Sequence, residues 1–247
     1  MSDARIEGRA GPAPSGGAAG IVFSSLTIAA AAAFVATVHI VAYRVPNEST
    51  MGIVQKIFYF HVPAAYAMYL GAVACFVGSC GFLVRGTRGW DAVAKGGAEV
   101  SVLFGVMVLT SGPLWAAKAW GVYWTWDPRL TTSMLTVLVY VAYVVLRTFA
   151  GNGEAERKFA AALGVLGAAM LPIIHYSVRK WGGTHPQVIS GQGGGLSHPD
   201  MKLALTLGFV SFTLLAIVLV WSRAKLALAA SRVEEIEQDA VDLGLVD

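Results

Sequence analysis

The stretch IVFSSLTIAAAAAFVATVHIVAY, residues 21–43, decides the class of fold. It carries no Asp, Glu, Lys or Arg. It exceeds the roughly 18 apolar residues that mark a membrane span. Lipid offers no partner for a bare backbone amide, so such a segment must satisfy its own hydrogen bonds as a helix. Working outward, five more apolar runs follow, at residues 62–84, 98–119, 131–149, 159–176 and 203–222. At about 1.5 Å rise per residue, each crosses or nearly crosses a hydrocarbon core of about 30 Å. The expected fold is an all-α integral membrane protein with six transmembrane helices. The fifth run is the shortest and contains Pro172, which predicts a kink or an early end. Composition agrees, because 13% charged residues are too few to cover a soluble domain of 247 residues.

The expected organisation is three-part. Residues 1–20, rich in Gly, Pro and Ala from Ala10 onward, predict a disordered N-terminus. Residues 21–222 form the membrane domain, and residues 223–247 a polar tail, read as a short helix with a frayed end. The first run is too long for the apolar part of a cleaved signal peptide, about 7–15 residues. An even number of spans puts both termini on one side. That side receives 11 of the 18 Lys and Arg residues, against 7 on the other. The positive-inside rule therefore predicts cytoplasmic termini. Net charge is +3 with scattered basic residues, which excludes a nucleic-acid groove. Cys75 and Cys80 lie inside an apolar run at a spacing that suits neither a redox pair nor zinc, so they read as small buried residues. Gly71, Gly78, Gly105, Gly164 and Gly167 recur within spans and predict close helix approach; for Gly164 and Gly167 an ordinary membrane-helix role is equally open.

The outer side receives three loops, at residues 44–61, 120–130 and 177–202. The unusual residues cluster in or beside them. Residues 115–126 hold Trp115, Trp120, Tyr123, Trp124 and Trp126, followed at once by Asp127 and Arg129. An interfacial belt normally places one or two rings at a helix end. This density fits a flat apolar ligand stacked on ring faces. Asp127 or Thr131 is a candidate N-cap for the fourth span, and Asp127 and Arg129 can also pair with each other. Arg129 has the planar fork that grips a carboxylate. All five histidines, His39, His61, His175, His185 and His198, fall at outer helix ends or in outer loops. Imidazole is a common axial ligand of haem iron. His61 and His185 flank the aromatic segment. His39 and His175 have no informative neighbourhood, and His198 sits in a Gly-rich stretch, residues 191–198.

The segment WGVYWTWDPRLT, residues 120–131, resembles the tryptophan-rich WWD signature of haem-handling membrane proteins. Two further segments are similar to the CcmC family within that superfamily: KIFYFHVPAA at residues 56–65 and IHYSVRKWGGTH at residues 174–185. The resemblance runs from about residue 44 to residue 221, and the six-span layout suits CcmC better than its larger relatives. Tyr123 stands where the family often has another Trp, and Pro128 where a small residue is common. The Gly-rich stretch after His185 is shorter and blander than the family pattern.

The resemblance implies a role in cytochrome c maturation at the bacterial inner membrane. Haem b is bound at the periplasmic face with His61 and His185 as its two axial ligands. Trp120, Trp124 and Trp126 form the porphyrin platform. The implied partners are ABC transporter subunits like CcmA and CcmB, a small single-span subunit like CcmD, and a periplasmic haem chaperone like CcmE, which receives the haem covalently on a histidine. Arg129 and Lys56 are the nearest basic candidates for the propionates, ahead of Arg179 and Lys180. No nucleophile–base pair or phosphate loop is visible. Transport and delivery are expected rather than catalysis, with assistance to covalent attachment left open. Two other readings fit the same residues. One is a membrane b-type cytochrome exchanging electrons with quinone, a class that places paired histidines inside helices. The other is a scaffold subunit of an ABC transporter whose aromatic loop is a docking surface.

Overall fold

A computed structural model of the chain describes residues 17–150, 153–185 and 195–245. Six helices carry it: α1 (Ala18–Tyr43), α2 (Phe58–Arg85), α3 (Arg88–Trp120), α4 (Pro128–Phe149), α5 (Glu154–Trp181) and α6 (Pro199–Asp242). A single 3-10 turn, Ile53–Ile57, leads into α2, and no strand occurs among the described residues. All six helices are long and apolar enough to cross a membrane. The disorder expected for residues 1–20 falls outside the described residues up to residue 16, while Ala18 already starts α1.

Three boundaries differ from the hydropathy reading. Helix α3 begins at Arg88, ten residues before the apolar run, because Asp91, Lys95 and Glu99 continue the helix while carrying charge at the membrane edge. Helix α5 runs through Pro172 to Trp181. A proline removes one backbone bond, which packing on neighbouring helices offsets. Helix α6 does not break near residue 222 but continues to Asp242. Its 44 residues reach about 66 Å at helical rise, twice the hydrocarbon core, so its end projects beyond the membrane. An Arg88–Glu235 ion pair ties that projection back to α3.

Helices α2 and α3 form the central pair. Helix α5 packs on α2 and α4, α6 packs on α3, α2 and α1, and α1 touches chiefly α6. Small residues make the central contact. A Cβ added at Gly97 would lie 2.3 Å from the Cys75 backbone nitrogen and 2.7 Å from the Gly71 oxygen. One added at Gly78 would lie 2.4 Å from the Ala94 nitrogen. Gly164 meets Ser79 and Cys75, and Gly167 meets the Tyr140 ring, so both take part in close packing. Cys75 is buried and Cys80 half-buried. Backbone cannot yield as a side chain can, so Gly97→Val should cost about 1–3 kcal/mol or more by overpacking. A fall in the thermal midpoint of the purified protein, larger than that of Gly89→Val at an open position, checks this.

The two ends of the bundle are chemically different. At the end holding the α2–α3 and α4–α5 turns, Asp91 meets Arg147 at 2.8 Å and Arg157 at 3.6 Å. At the opposite end, residues of the α3–α4 connection and His185 meet the ends of α2, α3, α4 and α5. The candidate site lies there.

Candidate functional site

Residues far apart in the chain line one cavity of about 370 Å³. The start of α2 contributes Phe58, His61, Met68 and Tyr69. The end of α3 contributes Leu109, Gly112, Trp115 and Trp120. Trp124 comes from the following loop, Arg129 and Leu130 from the start of α4, and His175 and Arg179 from the end of α5. His185 comes from the loop after α5. Most of this wall is aromatic or aliphatic. Among the described residues its charged side chains are Arg129 and Arg179, with no carboxylate. The volume is in the range of ligand sites, about 300–1,000 Å³.

His61 stands on the first turn of α2, aimed by its neighbours on α3. Its Nδ1 is 2.8 Å from Ser111 Oγ. Gly112 leaves room for the ring, since a Cβ there would lie 3.2 Å from His61 Cε1. Trp115 and Trp120 sit on the last turns of α3 and meet edge to face at 5.8 Å and 88°. Trp115 donates its indole N–H to Gln55 Oε1 at 3.1 Å, which ties it to the 3-10 turn before α2. Helix α3 then stops at Gly121, whose φ of +75 suits glycine. Trp124 and Trp126 cross at 6.1 Å and 82°. Trp115, Trp120 and Trp124 make the walls of a cleft rather than one flat shelf.

Asp127 joins two loops. As N-cap of α4, its Oδ1 accepts the Arg129 amide at 2.8 Å. Its Oδ2 accepts the Thr184 amide at 2.7 Å and the His185 amide at 3.4 Å. The fit admits only glycine at 183, where a Cβ would fall 2.4 Å from Asp127 Oδ2. Asp127 is 6% exposed, so these amides have little access to water as a substitute acceptor. Asp127→Ala should therefore cost about 1–3 kcal/mol from unsatisfied buried groups. The expected result is a lower thermal midpoint together with faster proteolysis after Trp181.

Arg129 projects into the cleft. Its Nη1 lies 3.4 Å from His185 Nδ1, and its Nη2 donates to the His175 carbonyl at 3.3 Å. Its Nε is buried and makes no hydrogen bond among the described residues.

Of the residues expected from sequence, His61, His185, Trp115, Trp120, Trp124 and Arg129 meet in the cavity, with Asp127 directly behind it. Three do not line it. Lys56 donates its amine to the Ala42 carbonyl at 3.0 Å, because the 3-10 turn points it toward the end of α1. Tyr123 and Trp126 are 66% and 75% exposed and project outward from the loop. His198 caps α6 by accepting the Asp200 amide, and His39 packs at a tilt against the Tyr43 ring at 5.1 Å. The rest of the Gly-rich stretch, up to residue 194, lies outside the described residues. His175 is the residue the sequence reading passed over. Its spacing of four from Arg179 puts both on one face of α5, and that periodicity was the available signal.

A sequence model of the family described as heme exporter protein C, CcmC, matches residues 8–239. The chain belongs to this family. The heme exporter protein C of Bradyrhizobium diazoefficiens is 31% identical over 194 residues, covering 78% of this chain and 73% of that protein. The Escherichia coli K12 heme exporter protein C is 30% identical over 184 residues, covering 73% of each. That of Paracoccus denitrificans is 28% identical over 209 residues, covering 81% of this chain and 84% of that one. The matched CcmC region contains all six helices up to residue 239 and every residue of the cavity wall.

Proposed function

We propose that this chain is the haem-handling membrane subunit of a cytochrome c maturation system, holding haem b between His61 and His185 and passing it on. One observation carries the reading. Two histidines 124 residues apart in sequence line one tryptophan-walled cavity whose charged side chains are cationic. Haem needs each part of that wall. The porphyrin is flat and apolar and packs on Trp115, Trp120, Trp124, Met68 and Leu109. Iron takes neutral imidazole as an axial ligand. The propionates are anionic and match the guanidiniums of Arg129 and Arg179. Membership of the heme exporter protein C family supports the same cargo.

The residues divide the work between retention and release. Burying porphyrin surface at about 25 cal/mol per Å² makes the cleft retentive. Neutral axial ligands on a helix end and a loop are exchangeable, so losing one loosens the cargo. With cytoplasmic termini, as the basic-residue bias favours, the cleft opens to the periplasmic face of the inner membrane. Delivery is then to a periplasmic haem chaperone like CcmE, beside CcmA-, CcmB- and CcmD-like subunits. The chain acts as a carrier, and the covalent attachment takes place on the chaperone.

The deciding measurement is the visible spectrum of the detergent-purified protein from haem-replete cells. A Soret band at near-stoichiometric haem is expected. A colourless protein that also fails to take up added ferric haem would remove the reading.

A further inference from the structure

The two histidines are held in opposite protonation patterns. Ser111 Oγ is 2.5 Å from the Met107 carbonyl, which can only accept, so the hydroxyl proton is committed there. The same oxygen must then accept from His61 Nδ1 at 2.8 Å. His61 Nδ1 therefore carries the ring proton, and the lone pair sits on Nε2, available to a metal. Arg129 reverses this at His185. A guanidinium can only donate, so Nδ1 at 3.4 Å from Nη1 must be the acceptor. A neutral imidazole has one lone pair, and in His185 it is covered by Arg129, while Nε2 holds the proton.

We propose that Arg129 gates the second axial ligand: His61 is ready to bind iron as it stands, whereas His185 becomes a ligand only when a propionate draws the Arg129 guanidinium away. The inference rests on the haem reading above and deepens it. The exchange balances. Two Arg129 contacts break, to His185 Nδ1 and to the His175 carbonyl, one guanidinium–carboxylate pair forms, and the released Nδ1 lone pair makes the second iron–nitrogen bond. The ring proton stays on His185 Nε2 throughout. The buried Arg129 Nε, which makes no hydrogen bond among the described residues, gives the carboxylate a further donor. The His175 carbonyl that holds Nη2 at 3.3 Å keeps the guanidinium in place until then. A porphyrin without acid groups would leave the gate closed, so the site recognises a dianionic metalloporphyrin by completing its own ligand set.

The test compares ferric haem b with its dimethyl ester, which lacks both charges, on the purified full chain. Optical and electron paramagnetic resonance spectra read the spin state. Haem b should give the low-spin, six-coordinate form. The ester should bind chiefly high-spin, with the low-spin fraction down about five-fold or more, the low end of coupling between linked sites. That ester spectrum should change in His61→Ala and stay unchanged in His185→Ala. Arg129→Met should restore the low-spin form with the ester. An equally low-spin ester complex in the wild-type chain overturns the gate, as does a high-spin ester complex in folded Arg129→Met. If Arg129→Met does not fold, the wild-type comparison of the two porphyrins still decides. If neither histidine variant alters the spectrum of bound haem b itself, the haem-ligand reading falls, and the gate with it. If both do while spin state ignores the ester groups, the gate alone falls.

Discussion

His61→Ala is expected to leave the cleft folded and to strip it of firmly held haem. The ring occupies space beside Gly112 and meets Ser111 on α3. Its loss removes one neutral ligand and one hydrogen bond but no core packing, since the α2–α3 contact lies lower, at Gly71, Gly78 and Gly97. Loss of an outer-shell partner at a metal site costs about 10–100-fold in affinity, and loss of the ligand itself should cost at least that. His185→Ala should behave alike with haem b. Haem content per protein and the position of the Soret band report the result. Both single variants retaining wild-type haem and an unaltered spectrum would falsify the ligand assignment.

The second large effect lies at the other end of the bundle and does not involve the cleft. Asp91 is 5% exposed and Arg147 4% exposed, joined at 2.8 Å, with Arg157 at 3.6 Å from the same oxygen. The three residues come from α3, α4 and α5, so the cluster pins three helices at one level. Arg147 Nε and Nη1 are buried without a hydrogen bond among the described residues. Asp91→Ala would leave that guanidinium with no counter-charge. Breaking a buried pair from one side costs about 3–5 kcal/mol, because an uncompensated charge remains. A fall of many degrees in the thermal midpoint is expected. Asp91→Ala combined with Arg147→Met should recover much of it, because partners in one network are not additive. A double variant no more stable than Asp91→Ala would show that the damage is not electrostatic.

Particular residues show how far the sequence can be read. The run at residues 21–43 could only be a helix, and the same argument located all six spans. The ends were less legible. Asp91 and Lys95 fell between the expected spans, and Glu99 lay just inside the third, yet all three belong to α3, since charge at a membrane edge is compatible with helix when a partner such as Arg147 or Arg223 is near. Those partners sit on other helices and leave no mark beside Asp91 or Glu99. The tail after residue 222 looked separable because its apolar pattern ends, but helix propagation does not stop where hydropathy does.

The site divides in the same way. Its chemical vocabulary was in the sequence, because iron ligation, ring stacking and carboxylate pairing each require particular side chains. His61, His185, the tryptophans and Arg129 stood out on that ground. Which of them meet was decided by tertiary structure alone. Ser111 reaches His61 across 50 residues, and Asp127 holds the His185 amide across 58. Lys56, only five residues from His61, turns away to Ala42. Local patterns along a chain encode helix and lipid exposure, since backbone and bilayer act on every segment alone. Orientation and protonation of a ring depend on a neighbour from another helix, and only packing brings that neighbour within 3 Å or so.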